Sequence, residues 1–186
     1  MSAHTPKALH EAARAEWARL QALPQPLKPR DRLAIPLQEM PAQDPLARAR
    51  NMQEVTLGYY EEQARVEAAR CLQCKNAPCV QGCPVRIQIP RFIAALAEGN
   101  PAKAIAVIKE TSLLPSVCGR VCPQETQCQE PCTVGKSLKT VEKAVSIGRL
   151  ERYAADWERA HGAGAAPVVA PETGKKVAVV GSGPAG

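Results

Sequence analysis

Apolar residues recur at helical spacing through much of the chain, separated by stretches dense in proline or cysteine. Between Thr5 and Leu23, Leu9, Ala13, Trp17 and Leu20 fall on one helical face. Thr5 is the residue type that caps a helix N-terminus. Pro6 follows at the first helical position, where its missing N–H costs nothing. The pattern then breaks at residues 24–45, which hold Pro24, Pro26, Pro29, Pro36, Pro41 and Pro45. That density predicts no regular helix and leaves two readings, an extended segment laid across another surface or a linker.

Helical spacing resumes at about Tyr60 and runs to Leu72, which delivers Cys71 at a helix C-terminal end. Pro90 starts a third helix that Gly99 ends, and Asn100 and Pro101 cap and start a fourth through "PAKAIAVIKETS". A chain that leaves along one helix and returns along the next brings its flanks together. A fifth helix is expected from about Ala144 to Ala160, with Leu150, Tyr153, Ala154 and Trp157 at i, i+3, i+4 and i+7. Residues 162–174, "GAGAAPVVAPETG", read as a linker. "KKVAVV", residues 175–180, has the β-branched character of a buried parallel strand and leads directly into "GSGPAG".

Composition makes the expected core thin. Aromatics are 3% of the 186 residues, with Phe92 the single phenylalanine, so apolar burial must come mostly from Ala, Val, Leu and Ile. The N-terminus has no apolar run of signal-peptide length, and no stretch approaches the roughly 20 apolar residues a membrane span needs. A cytoplasmic protein with no membrane partner is expected. The net charge of +6 is spread over scattered Lys and Arg, and aromatics for base stacking are almost lacking, so no nucleic-acid partner is expected either.

The eight cysteines change the picture. They form two runs, "CLQCKNAPCVQGCP" from residue 71 and "CGRVCPQETQCQEPC" from residue 118. In a reducing compartment, thiols at this density favour metal or redox chemistry over disulfides. Structural zinc sites usually pair two short C-x2-C knuckles, often with histidines. The second run has no such knuckle, and His4, His10 and His161 lie outside both runs. Iron–sulfur ligation suits the spacing better, because short runs ending in C-P are its ferredoxin-like mark. A zinc-binding adaptor remains the non-enzyme alternative. In two-cluster ferredoxins the last cysteine of a C-P run ligates the other cluster. On that rule Cys71, Cys74 and Cys79 hold one cluster and Cys83 crosses to the second. One cysteine of the second run must then cross back, and spacing alone leaves open which.

"EAARCLQCKNAPCVQGCP", "VCGRVCPQETQCQEPC", "IGRLERYAADW" and "KVAVVGSGPAG" occur in this order. Together they resemble the N-terminal part of the NADPH-dependent glutamate synthase small-subunit family. That family includes the large subunit of electron-bifurcating ferredoxin:NADP oxidoreductases, and it shares its cluster domain with dihydropyrimidine dehydrogenase. The likeness runs from about residue 35 to the end. It implies a mainly α fold, a helical domain binding two 4Fe-4S clusters, followed by FAD and NADPH domains. It implies Cys71, Cys74, Cys79 and Cys132 at the first cluster. At the second it implies Cys83, Cys122 and Cys128, plus a carboxamide or carboxylate that falls here on Glu151. Cys118 is then a buried non-ligand thiol. Spacing would not have chosen Glu151 over Cys118.

Gly181, Gly183 and Gly186 match G-x-G-x-x-G, in which the glycines allow a tight turn, close approach of a pyrophosphate, and helix–strand packing. In the resembling family this is the start of the FAD-binding Rossmann-like domain. The sequence therefore reads as a fragment ending at the third glycine, unable to bind FAD as it stands, with residues 175–186 lacking a sheet to join. The expected division is an N-terminal helix at 1–23, a proline-rich segment at 24–45, the cluster domain at 46–161, a linker at 162–174 and the truncated FAD domain at 175–186. The implied activity is that of an oxidoreductase passing electrons from NADPH through FAD and the clusters to a partner. That partner is the glutamate synthase large subunit or another electron-accepting subunit. The alternatives within the class are a bifurcating ferredoxin:NADP oxidoreductase and a sulfide dehydrogenase relative.

Overall fold

Helix α1 (Pro6–Gln21) starts where its cap predicts, with the Thr5 hydroxyl accepting from the Ala8 N–H at 3.2 Å. Its inner face buries Ala13 and Leu20. Leu20 packs with Ile35 and with Val66 and Ala69 of α4 (Glu61–Ala69), and the Arg65 guanidinium lies 4.4 Å from the Trp17 ring centroid. The computed structural model describes residues 4–162 and 169–182.

The proline-rich segment departs from expectation. Residues Pro29–Leu33 form a short helix, α2, and Pro45–Arg48 another, α3. Each begins at a proline, which the first turn accepts because no intrahelical bond is asked of that N–H. The rest of the segment lies across the helical body. Ile35 and Gln38 are buried, and the Gln38 carbonyl accepts from the Tyr59 hydroxyl at 2.8 Å and from Arg149 at 3.2 Å.

Helices α6 (Ile89–Ala97) and α7 (Pro101–Lys109) form the hairpin between the cysteine runs. Gly99 takes the left-handed conformation (φ 75°) that ends α6, and the Asn100 side chain caps α7 by accepting from the Lys103 N–H at 2.9 Å. Phe92, Ile93, Leu96 and Ile108 are fully buried where this hairpin meets α4 and α10 (Ile147–His161). Burial of that kind contributes about 1.5–3 kcal/mol per large side chain. The chain around the cysteines is held in shorter pieces, α5 (Pro78–Gly82), α8 (Pro115–Val121) and α9 (Thr133–Ser137).

Helix α10 buries Ile147, Leu150, Glu151, Ala154 and Ala155, so the inner face is rotated from the expected one and Tyr153 and Trp157 are only half-buried. Residues 175–180 form no strand. Val177, Val179 and Val180 are exposed, as a β-branched run must be when it has no neighbouring strand. Among the described residues no helix is long and apolar enough to cross a membrane.

Candidate metal centre

Cys71 leaves the C-terminal end of α4, and three buried or half-buried side chains fix that end. Arg32 donates to the Ala69 and Cys71 carbonyls at 2.9 and 3.0 Å. The Arg70 guanidinium, almost fully buried, donates to Glu67 at 2.6 Å and to the Lys143 and Ala144 carbonyls at 2.6 and 3.0 Å. Glu67, fully buried, also accepts from the Ser146 and Gln38 N–H groups at 2.8 and 2.9 Å. One buried ion pair thus ties α4 to the loop ahead of α10 and to the proline-rich segment. Most of its remaining bonding capacity is used on backbone groups, with Arg70 Nε left without a partner, and those bonds are what make such a pair tolerable inside a protein.

A small cavity opens beside this junction. Cys71, Cys74, Cys79 and Cys132 line it together, and most of its remaining wall is apolar, including Ile89, Ile93 and Val145. Gln73, at φ 53°, turns the chain between the first two thiols. Burial pushes the Cys71 thiol up to about 11 and Cys79 to about 12, with Cys132 and Cys74 adding to both. Cys71 and Cys79 therefore resist ionisation unless something positive takes the proton's place.

The remaining thiols stand together on the other side. Burial raises the Cys128 thiol to about 12, and negative charge on Cys83 and Glu151 adds to it. Burial raises Cys122 to about 11, assisted by Cys118, Glu151 and Cys83. Cys79 adds a smaller effect at Cys128, so the two groups adjoin. Cys118 sits one helical turn before Cys122 on α8, whose backbone bonds Cys122 N–H to Cys118 carbonyl at 3.1 Å. Cys118 is half-buried, not buried as the resemblance implies, because α8 lies at the surface with Val117 and Val121 exposed.

Glu151 reaches this second group because α8 crosses α10 closely. A Cβ on Gly119 would stand 2.6 Å from the Arg152 backbone nitrogen, so only glycine permits the approach. Glu151 Oε1 is buried with no hydrogen-bond partner, and burial raises this carboxyl to about 7. An unpartnered buried oxygen next to thiols is costly unless a cation or acid proton satisfies it.

Among the described residues no three His, Cys, Asp or Glu side chains converge tightly enough to hold one metal ion. A zinc site needs each donor about 2.0–2.3 Å from the metal. Soft thiolates in an apolar wall are the donor set that iron–sulfur clusters take. A roomier groove of about 350 Å³, lined by Trp17, Leu20, Gln25, Leu27, Arg32 and Ala97 among others, contains no thiol.

Gly181 is exposed and in the left-handed region (φ 109°), with open space around it. Gly183 and Gly186 lie outside the described residues. Sequence reading missed α8 and the Glu67–Arg70 pair. Leu114-Pro115 was an available signal for the first, since proline favours a helix start. Nothing in the spacing marks the second, because a Glu and an Arg three apart on a helix are usually solvated.

A family profile described as dihydropyrimidine dehydrogenase domain II, 4Fe-4S cluster, matches residues 48–163. The glutamate synthase [NADPH] small chain of Escherichia coli (strain K12) is 41% identical over 135 residues, 72% of this chain and 27% of the relative. The NAD-dependent dihydropyrimidine dehydrogenase subunit PreT of Salmonella typhimurium is 38% identical over 137 residues, 73% of this chain and 32% of the relative. The putative oxidoreductase AegA of Escherichia coli is 36% identical over 141 residues, 75% of this chain and 21% of the relative. The chain spans about a fifth to a third of the length of the curated relatives it matches.

Proposed function

The chain belongs to the dihydropyrimidine dehydrogenase domain II 4Fe-4S family, and from that premise we propose that it is a two-cluster electron-transfer domain of an NADPH-dependent oxidoreductase. Cys71, Cys74, Cys79 and Cys132 hold one cluster. Cys83, Cys122, Cys128 and Glu151 hold the other. The observation that carries this reading is the presence of Cys132, from the second run, in the cavity lined by three thiols of the first. The orphaned Glu151 oxygen supports the eighth position.

A bound 4Fe-4S cluster supplies reversible electron uptake at a potential that its ligands and surroundings set. The protein's own residues do the rest. Each thiol would release its proton to solvent as it takes metal, which is why burial does not forbid ligation. Ile89, Ile93 and Val145 keep water from the first group. Cys79 is near enough to Cys128 to act on it electrostatically, which supports electron exchange between the two groups. No side chain is assigned a role as acid, base or nucleophile.

Identity to glutamate synthase small chains favours that type of oxidoreductase, with electrons passing from NADPH through FAD to the clusters and on to a large subunit. Similarity to PreT keeps another electron-accepting subunit as the second reading. In either case residues 46–161 form the cluster domain. Residues 1–23 and 24–45 are its N-terminal helix and strap, 162–174 a linker, and 175–186 the start of an FAD-binding domain. In that last domain Gly181, Gly183 and Gly186 belong to the pyrophosphate turn. Metal and acid-labile sulfide analysis of anaerobically purified protein tests the proposal. About eight irons and eight sulfides per chain are expected from two four-iron clusters. A colourless protein holding zinc and no sulfide would sink it.

A further inference from the structure

Thr133 is the one hydroxyl in the wall of the cavity lined by Cys71, Cys74, Cys79 and Cys132. Its Oγ1 lies 3.3 Å from the Cys74 sulfur, and the two are 59 residues apart in sequence. Thr133 is the first residue of α9, directly after Cys132, so the backbone that places the Cys132 thiol also places this hydroxyl. Among the described residues no other hydrogen bond to this hydroxyl is seen, although an N-terminal threonine on a helix has backbone groups within reach.

We infer that Thr133 is a positioning residue that sets the reduction potential of the cluster held by Cys74. The inference rests on the proposed role of Cys74 as a cluster ligand. A ligating Cys74 is a thiolate and can only accept, so the Thr133 hydroxyl becomes the donor. A hydrogen bond to an anionic sulfur is charge-assisted. Reduction adds one negative charge to the cluster and its thiolates, so the O–H dipole stabilises the reduced form more than the oxidised form. The bond therefore raises that cluster's potential, as hydrogen bonds to cluster sulfurs do generally. No hydroxyl hydrogen bond to the sulfurs of the second thiol group is seen among the described residues, so the effect acts on one cluster's potential and not on the other's.

The experiment is an EPR-monitored redox titration of the anaerobically loaded protein carrying Thr133→Val or Thr133→Ser. Thr133→Val keeps the shape and removes the donor. It is expected to lower the midpoint of one cluster and leave the other unmoved, whereas Thr133→Ser keeps both midpoints near the wild-type values. Both clusters loaded with neither midpoint moved by Thr133→Val would overturn the inference, as would equal shifts of both. Thr133→Ala, which cannot overpack the site, is the second variant should the valine protein fail to load. Failure of Val and Ala variants alike, with the serine variant loading normally, supports a required hydroxyl. Failure of the serine variant as well makes the role one of packing and overturns the inference. Cys74→Ser separates the premise from the inference: unchanged iron and sulfide content and an unchanged EPR spectrum in that variant would reject Cys74 as a ligand.

Discussion

Gly82 is pressed against the Gln127 carbonyl: a Cβ at residue 82 would stand 2.6 Å from that oxygen and 3.0 Å from the carbonyl carbon. The next residue on each side is a cysteine, Cys83 and Cys128, so this backbone contact sets how closely the two runs approach. A side chain there must push one run off the other, because both partners are backbone and neither can rotate away.

Gly82→Ala is accordingly expected to cost about 1–3 kcal/mol of stability, as forced overpacking does, and to weaken the second thiol group specifically. The check is iron content together with EPR of the reduced protein. The signal of one cluster should diminish while the other persists.

The Glu67–Arg70 pair gives a stability prediction. Glu67→Gln leaves the Arg70 guanidinium buried without its counter-charge and weakens the bonds to the Gln38 and Ser146 N–H groups. Breaking one side of a buried pair costs about 3–5 kcal/mol. Urea unfolding of the variant should show a correspondingly lower midpoint. Hydrogen exchange should show lost protection in the segment around residue 38 and in the loop 143–146, which the pair holds together.

Much of this architecture is legible in the sequence. Thr5-Pro6 and Asn100-Pro101 mark helix starts because capping and proline chemistry act locally. The hairpin of α6 and α7 follows from Gly99 between two apolar faces. Other features depend on partners distant in sequence. The helix at Pro29–Leu33 was masked by proline density, although proline disfavours only helix interiors. Residues 175–180 have strand character and no sheet. For the thiols, the C-P ending pointed Cys83 toward the second run, and it stands beside Cys122 and Cys128. Spacing left open which cysteine crosses back. The cavity groups Cys132, which precedes α9, with the first run. Glu151 lies four residues after Ile147 and three before Ala154, on the apolar face of α10. A charged residue on a buried stripe was the available signal.

The Glu151 carboxyl carries a pH dependence in the cluster-free protein. Its raised value of about 7 against an ordinary 4.5 means the folded chain holds a proton that the unfolded chain has lost between those two values. Stability contributed by this site therefore falls as pH rises from about 4.5 to 7, by on the order of 3 kcal/mol, and stays low above. Glu151→Gln should flatten that part of the stability profile and make the apo-protein more stable at pH 8. Denaturant melts at pH 5 and pH 8 on both proteins provide the check; an unchanged slope in the variant would remove Glu151 as its source.

Cys118 and Glu151 both face Cys122, and only one completes the second ligand set in the proposed reading. Cys118→Ala is expected to retain both clusters and cost about 1 kcal/mol for a small half-buried group. Glu151→Ala should disturb one cluster's EPR signal and spare the other. The reverse pattern would mean that the eight cysteines, without the carboxylate, make up the ligand sets.

The crossing of the two runs is the centre of the account, and four single variants measured by low-temperature EPR test it most directly. The account predicts that Cys132→Ala and Cys71→Ala lose the same signal, and that Cys83→Ala and Cys128→Ala lose the other. It is contradicted if Cys132→Ala instead matches Cys128→Ala while Cys83→Ala matches Cys71→Ala, since each run would then hold its own cluster.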